Sequence, residues 1–357
     1  MTLEQCWHRV PGGTGVAGIE MARAVAARDD VEVIGVSASH RTEPPDPWRP
    51  PVPVKQLPLP RLALYEAWHR LRWPRVQSAA GEVGVIHATT IAMPPRSAPL
   101  VVTIHDLAFL HDPSHFTRRG VAFFRRGLDL ALKDADLVLC PSTATLDDSA
   151  ANGFERDRLR LIPMGVDASA ADERAISEAR GRYGLEGPYV LWTGTIEPRK
   201  NLRRLLEAFD RVDEDVDLAL VGPAGWNEDV GRLIDGHRRV KALGFVPRSD
   251  LAALYAGASV FCFPSLFEGF GLPVLEAMAQ GTPVVTSRGT STEELGQDAS
   301  VLVDPRDVSS IAEGIAQALR DEELRARLIP AGRERASGYS WSATADLLVE
   351  AYREAAG

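Results

Sequence analysis

The run Phe263-Pro-Ser-Leu-Phe-Glu268-Gly-Phe-Gly271-Leu-Pro273-Val-Leu-Glu276-Ala-Met-Ala-Gln-Gly281-Thr-Pro283-Val-Val-Thr-Ser287 reads as a strand end, a glycine-broken loop, a helix and the next strand. Val260 to Phe263 is apolar, too short for a helix and rich in β-forming residues. Gly269 and Gly271 release the backbone into conformations other residues avoid and allow a ligand to come close. Pro273 suits the first position of a helix, Gly281 suits its end, and Pro283 bars continuation. A helix N-terminus, with its free N–H groups and positive dipole end, thus lies beside Glu268, and Glu276 follows about one turn inside. A phosphate at that end, with a carboxylate on either side to accept from hydroxyl groups, describes a nucleotide-sugar.

At 357 residues the chain has room for two domains, each with its own core. An apolar share of 45% and a charged share of 25% are those of an ordinary globular protein. No apolar run approaches the roughly 18 residues of a membrane span, and the first residues lack the charged-then-apolar order of a signal peptide. Cys6, Cys140 and Cys262 are far apart in apolar surroundings, which predicts reduced core thiols in the cytosol and neither a metal site nor a disulfide framework. The net charge of −9 is uneven: residues 1–165 hold 19 basic against 18 acidic side chains, leaving 21 against 31 for the rest. That balance offers no concentrated basic footprint for nucleic acid.

The carboxylates Glu268 and Glu276, set in Phe-Glu-Gly-Phe-Gly-Leu-Pro-Val-Leu-Glu-Ala-Met-Ala, resemble the signature of retaining glycosyltransferases of the GT-B fold, the family-4 type. The resemblance covers nearly the whole chain and rests on three motifs in order: Thr103-Ile-His105-Asp106, Glu197-Pro-Arg199-Lys200-Asn201 and the spaced glutamates. It implies an α/β protein of two doubly wound Rossmann-like domains facing a central cleft. These are an acceptor-side domain over 1–165, a nucleotide-sugar domain over 166–340, and a helix over 341–357 that crosses back to the first. By motif match, His105, Glu268, Arg199 and Lys200 inherit catalytic roles. Arg199 and Lys200 would hold the donor's phosphates, Glu276 the ribose hydroxyls, and Glu268 with Gly269, Phe270, Gly271 and Leu272 the transferred sugar and the phosphate beside it. Gly12, Gly13 and Thr14 would face the diphosphate from the other domain.

The implied activity is that of a cytoplasmic, retaining, metal-independent hexosyltransferase of polysaccharide biosynthesis. It has no resident cofactor; a nucleoside-diphosphate sugar is the donor substrate, with GDP-mannose first and UDP- or other sugars second. The acceptor would be a hydroxyl on a glycan, a lipid-linked or a small-molecule acceptor. A non-catalytic glycosyltransferase-like binding protein is the alternative, and it would be expected to have lost some of His105, Arg199, Lys200 or Glu268. A nucleotide-sugar epimerase of the same fold stays open. A phosphorylase-like enzyme would want a pyridoxal-phosphate lysine near the C-terminus, whereas the last lysine is Lys241.

In the N-terminal half, Thr2 to Trp7 reads as a first strand, shorter than such a sheet wants, as though the start were trimmed. Pro11-Gly-Gly-Thr-Gly15 reads as a loop, Val16 to Arg28 as a helix and Val31 to Val36 as a strand. Gly13-Thr-Gly15-Val-Ala-Gly18 formally fits the dinucleotide fingerprint. Arg9 and Pro11 separate it from the strand, however, and the second strand runs into Ser37-Ala-Ser-His-Arg41 instead of an acid. Glu43 to Pro60 is proline-dense and irregular. Arg61 to Arg75 mixes Leu62, Leu64, Trp68, Leu71 and Trp73 with arginines, and His115 to Arg126 carries four arginines and no acid. The plain reading is two helices with a core face and a solvated basic face; the sharper one is peripheral contact with an anionic membrane, or an acidic or lipid-linked acceptor. Strands follow at Val83–Ala88, Leu100–Ile104, Leu137–Cys140 and Leu159–Ile162, with His105 at a strand end where ligands sit in open parallel sheets. Asp106 is expected to cap or orient its neighbours. A polar linker is expected from about Asp167 to Gly184.

In the C-terminal half, strands are expected at Tyr189–Thr193, Asp217–Val221 running into Gly222-Pro-Ala-Gly225, Val240–Leu243 and Ser300–Val303. Arg199 and Lys200, side by side before a helix, make a compact positive site for a diphosphate. Phe245 and Val246 are the candidates for neighbours of the nucleobase.

Overall fold

The computed structural model describes residues 1–223 and 230–357; Ala224 and Gly225 of the expected strand extension lie outside them. The chain divides into two compact units, Met1–Gly165 with Ser340–Gly357, and Val166–Tyr339.

The first unit holds β1 (Gly35–Ser37) and β2 (Val54–Gln56), paired in parallel, and a parallel sheet of β3 (Ile86–Ala88), β4 (Leu100–Thr103), β5 (Leu137–Cys140) and β6 (Leu159–Leu161) in that order. The chain start joins the two sheets. Thr2 N–H donates to His87 O at 2.9 Å, and Leu3 N–H donates to Val36 O at 2.8 Å. The expected strand from Thr2 to Trp7 is therefore confined to its first residues, and Glu4–Trp7 is a 3-10 helix. The cause is tertiary: the buried Glu4 carboxylate accepts from Ala38 N–H at 2.7 Å and from the His40 ring, which turns the chain inward. With the start counted as a strand, the order is the doubly wound one, reversing between the start and β3.

Other expectations need correction here. The helix read from Val16 begins at Gly12 and ends at Ala26, so Gly12, Gly13 and Thr14 form its first turn and not a loop. The strand read over Val31–Val36 is Gly35–Ser37, and the irregular stretch before Pro60 contains β2. The helix read to Arg75 is Arg61–Leu71, because Arg72 takes a left-handed φ of 51°. The core beneath is built from Leu64, Trp68, Met93, Phe109 and the apolar residues of β3 to β5. The closing helix Trp341–Ala356 belongs to this unit; Tyr352 OH meets His87 Nδ1 at 2.7 Å, and Thr344 Oγ1 donates to Pro163 O.

The second unit is one six-stranded parallel sheet. Its strands are β7 (Tyr189–Thr193), β8 (Asp217–Val221), β9 (Val240–Gly244), β10 (Val260–Phe263), β11 (Val284–Ser287) and β12 (Val301–Val303). The spatial order β12-β11-β10-β7-β8-β9 is the Rossmann order, with its switch point between β7 and β10. Trp192, Tyr189, Phe261 and Phe263 fill the middle of the sheet and are fully buried. The expected linker to Gly184 instead contains a helix, Glu173–Arg182, started by the Asp172 side chain accepting from Ala175 N–H. Among the described residues, no helix is long and apolar enough to cross a membrane.

Candidate active site

In an open parallel sheet, crossover helices leave the two strands flanking the switch point in opposite directions, and a crevice opens beyond their carboxyl ends. In the second unit those strands are β7 and β10, and the loops that follow them carry Glu197–Asn201 and Phe267–Gly271. Two ties hold the loops together. Asn201 adopts a left-handed φ of 61°, and its side-chain amide donates to Pro264 O at 2.9 Å and to Pro305 O at 2.6 Å. Leu266 N–H donates to Arg199 O at 2.9 Å.

The charged side chains then converge. Lys200 Nζ donates to Glu268 Oε1 at 2.7 Å, and Arg199 Nη1 donates to Glu268 Oε2 at 3.0 Å and to Phe267 O at 2.9 Å. Arg199 Nη2 donates to Glu197 Oε1 at 2.8 Å. Lys200 also lies 4.7 Å from the centre of the Phe263 ring. Glu197, Lys200 and Glu268 are all buried. Burial drives the Glu268 pKa upward, but Lys200 and Arg199 outweigh it and hold the carboxyl below the usual glutamate range. Two cations and two anions balance here, an arrangement that buried ions need in order to be tolerated.

Gly271 ends the loop at φ +112° and caps the helix Leu272–Gln280, which places Pro273 second in the helix and not first. Ser291 Oγ donates to the carbonyls of Glu268 and Phe270 and fixes the loop from behind. Phe270 is buried with its ring edge-on to Tyr339. Glu276 stands in a different environment from Glu268. Its Oε2 accepts from Tyr255 OH at 3.0 Å, and that hydroxyl also meets Thr193 Oγ1 at 2.8 Å. Burial raises the Glu276 pKa above the ordinary range, against a smaller lowering by Tyr255 and Arg248.

That shift has a sign. A carboxyl whose folded pKa is raised weakens the fold progressively as pH rises through that pKa, and costs nothing in acid. Glu276→Gln is therefore expected to raise the melting temperature of the ligand-free protein at about pH 8 and to leave it unchanged at about pH 4. Thermal melts of both proteins across that range read the difference; an equal shift at every pH would show that the carboxylate's charge is not its cause.

In the first unit the candidate residues also sit at strand carboxyl ends. His105 follows β4, and its Nε2 lies 2.9 Å from Thr89 O. A carbonyl only accepts, so Nε2 carries the proton. Burial lowers the His105 pKa, so the ring is neutral and Nδ1 is its hydrogen-bond acceptor. Asp106 Oδ1 accepts from Ala108 N–H at 3.0 Å, the capping role expected of it. Gly12 has φ +60°, Gly13 has open space where a Cβ would stand, and Thr14 Oγ1 donates to Pro11 O. Of the nucleobase candidates, Val246 is buried and Phe245 is exposed.

Sequence reading found Arg199, Lys200 and Glu268 but not that they bond one another. It placed Glu197 and Asn201 in the phosphate-loop motif without a role of their own, and assigned nothing to Tyr255, Thr193 or Ser291. Asn201 carried a signal, since asparagine tolerates the left-handed region and stands directly before a helix. Tyr255 and Ser291 are ordinary helix residues whose partners lie at least 21 positions away, so local pattern was silent about them.

The chain matches the family described as Glycosyl transferases group 1 over residues 175–335 and the one described as Glycosyltransferase Family 4 over residues 11–170. It is 33% identical over 307 residues to O-antigen chain mannosyltransferase B of Escherichia coli, covering 81% of this chain and 80% of that protein. The chain belongs to the group 1 glycosyltransferases of the family-4 type. The fold of this glycosyltransferase is GT-B, two Rossmann-like domains, shared with solved structures. HepE of Anabaena, in complex with UDP and glucose, matches with a TM-score of 0.79 at 23% identity over 99% of this chain and 98% of that one. Sucrose-phosphate synthase of Thermosynechococcus elongatus matches with a TM-score of 0.79 at 22% identity, covering 99% and 97%.

Proposed function

We propose that this glycosyltransferase is a retaining enzyme that moves mannose from GDP-mannose to an acceptor hydroxyl on a glycan, lipid-linked or small-molecule acceptor. The observation that carries the reading is the convergence of Arg199, Lys200 and Glu268 at the switch point of the second unit, beside the N-terminus of Leu272–Gln280. The choice of mannose rests on the likeness to a protein named as a mannosyltransferase.

In this reading the donor diphosphate displaces Glu268 from Arg199 and Lys200, and the two cations with the first helical N–H groups stabilise the charge that grows on the leaving phosphate. The freed Glu268 accepts from the transferred sugar's hydroxyls, Glu276 from the ribose, and His105 Nδ1 from a hydroxyl of sugar or acceptor. The acceptor oxygen bonds to the anomeric carbon on the face that the diphosphate leaves. The bond from that carbon to the phosphate oxygen breaks, and the acceptor proton passes to the leaving phosphate. The charge balance is supplied by side chains, so no metal is required and a chelator is expected to leave the rate unchanged. The enzyme would work in the cytoplasm, meeting lipid-linked acceptors at the inner face of the cell membrane.

Thermal stabilisation against GDP, UDP, ADP, their sugars and NADH tests the donor site. A ligand at about 100 times its Kd adds about 2.7 kcal/mol, so GDP is expected to raise the melting temperature by several degrees. Arg199→Ala with Lys200→Ala should abolish that shift. Folded protein that responds to no nucleotide would sink the reading in favour of a binding partner, and a shift with UDP alone would replace the donor.

A further inference from the structure

A phenol buried in a core needs a hydrogen-bond partner for its hydroxyl, and the ring in turn holds that partner in place. Tyr255 lies near the end of the helix Arg248–Gly257 and is 1% exposed. Its ring stands edge-on to Phe261 of β10 at 5.2 Å, and its carbonyl accepts from Thr282 Oγ1. The hydroxyl is thereby fixed between Thr193 Oγ1, at the carboxyl end of β7, and Glu276 Oε2, on the helix Leu272–Gln280.

Counting protons orients this row of groups. A carboxylate only accepts, so the single phenol proton goes to Glu276, and Thr193 donates to the phenol oxygen. Thr193 and Tyr255 are buried, whereas Glu276 is half-buried and its Oε1 has no hydrogen-bond partner among the described residues. One carboxylate oxygen is thus pinned from inside the fold and the other is left open. The last torsion of a glutamate side chain has broad wells, so nothing intrinsic fixes the plane of its carboxylate. The bond from Tyr255 does. Burial raises the Glu276 pKa, and Tyr255 opposes it more than Arg248 does, so the same bond favours the ionised form that can accept from two hydroxyls at once.

We infer that Tyr255 is a positioning residue that sets the plane of the Glu276 carboxylate for the neighbouring 2′- and 3′-hydroxyls of a ribose, and so makes the site select ribonucleotides over nucleotides lacking those hydroxyls. This role rests on the donor reading above, in which Glu276 meets the ribose. A phenol that merely tied the helix Arg248–Gly257 to Leu272–Gln280 would leave the choice of nucleotide untouched.

The test is calorimetric binding of GDP against 2′,3′-dideoxy-GDP, with UDP against 2′,3′-dideoxy-UDP as the second pair. Two hydrogen bonds to a charged group set the parent's preference for the ribose form at about 100-fold or more. Tyr255→Phe keeps the ring and removes one oxygen. It is expected to weaken the ribonucleotide about tenfold and the dideoxy form less than about twofold. In a Glu276→Ala background the same substitution should leave the ratio of the two affinities unchanged, because the group it positions is gone. Thr193→Val spares the phenol but removes the donor behind it, and should reduce the preference in the same direction by less. Circular dichroism checks that each variant is folded at the assay temperature, and Thr193→Val carries the test where Tyr255→Phe is not. A parent that binds neither pair overturns the donor reading and this role together. A parent that binds ribose and dideoxy forms equally overturns the role while keeping the phosphate site. Equal loss of both forms in Tyr255→Phe overturns the role alone and marks the phenol as a tie between helices.

Discussion

Glu268→Gln is expected to reduce sugar transfer by more than about 100-fold while strengthening the binding of GDP. Both effects follow from the double occupation of Glu268, which in the ligand-free protein holds Lys200 at 2.7 Å and Arg199 at 3.0 Å. On the proposed reading, a diphosphate takes those cations from it. Removing the charge removes the competitor and leaves Arg199, Lys200 and Glu197 with a net positive charge facing the phosphate. The same change strands a buried lysine without its anion, so the ligand-free variant should lose about 2–4 kcal/mol of stability. Saturating GDP should restore more of that than it adds to the parent. The pH dependence supplies a second check. Glu268 has its folded pKa held down, so its contribution is present above the unfolded glutamate pKa and is lost as pH falls through the folded value. Melting temperatures of parent and variant should therefore converge in acid. If the glutamine variant binds GDP more weakly in proportion to its lost activity, Glu268 is a direct ligand of the nucleotide and not the keeper of the cations.

What the sequence disclosed followed the range of its signals. The strand, glycine loop and helix around Glu268 were legible because the turn residues, the helix signals and the apolar runs all fall within 25 positions. β5, β7, β8 and β10 matched residue for residue because buried strands of a parallel sheet are continuous apolar runs. The chain start was misread because its conformation is decided at a distance: Glu4 turns away from strand geometry to meet Ala38 and His40, more than 30 residues on. The first turn at Gly12 was read as a loop because glycine carries a poor helix propensity, which the packing of the helix overrides. The split between Glu268 and Glu276 was equally hidden. Two glutamates of one motif look alike in sequence; burial raises both pKa values, and two cations overcome it at Glu268 whereas the smaller lowering by Tyr255 and Arg248 does not at Glu276.

Gly271→Ala is expected to lower stability by about 2–4 kcal/mol and nucleotide affinity by at least about tenfold. Two costs add at this position. A φ of +112° is strained for any side chain, and a Cβ there would stand 2.7 Å from Thr292 Cγ2 and 3.3 Å from Leu295 Cδ1. Both neighbours are buried, so neither can yield without disturbing the helix Ser291–Gly296. Relief must come from the loop itself, and the loop carries the Glu268 and Phe270 carbonyls held by Ser291 as well as the first N–H groups of the helix. Gly289→Ala is the matched control. Gly289 also has a positive φ, +77°, but nothing stands within 4 Å of the added atom. It should show the strain alone, about 1 kcal/mol, with nucleotide binding intact. Thermal melts with and without GDP separate the two variants: if both lose the same stability and neither loses affinity, the left-handed turn at Gly271 serves the fold alone and the anion site lies elsewhere.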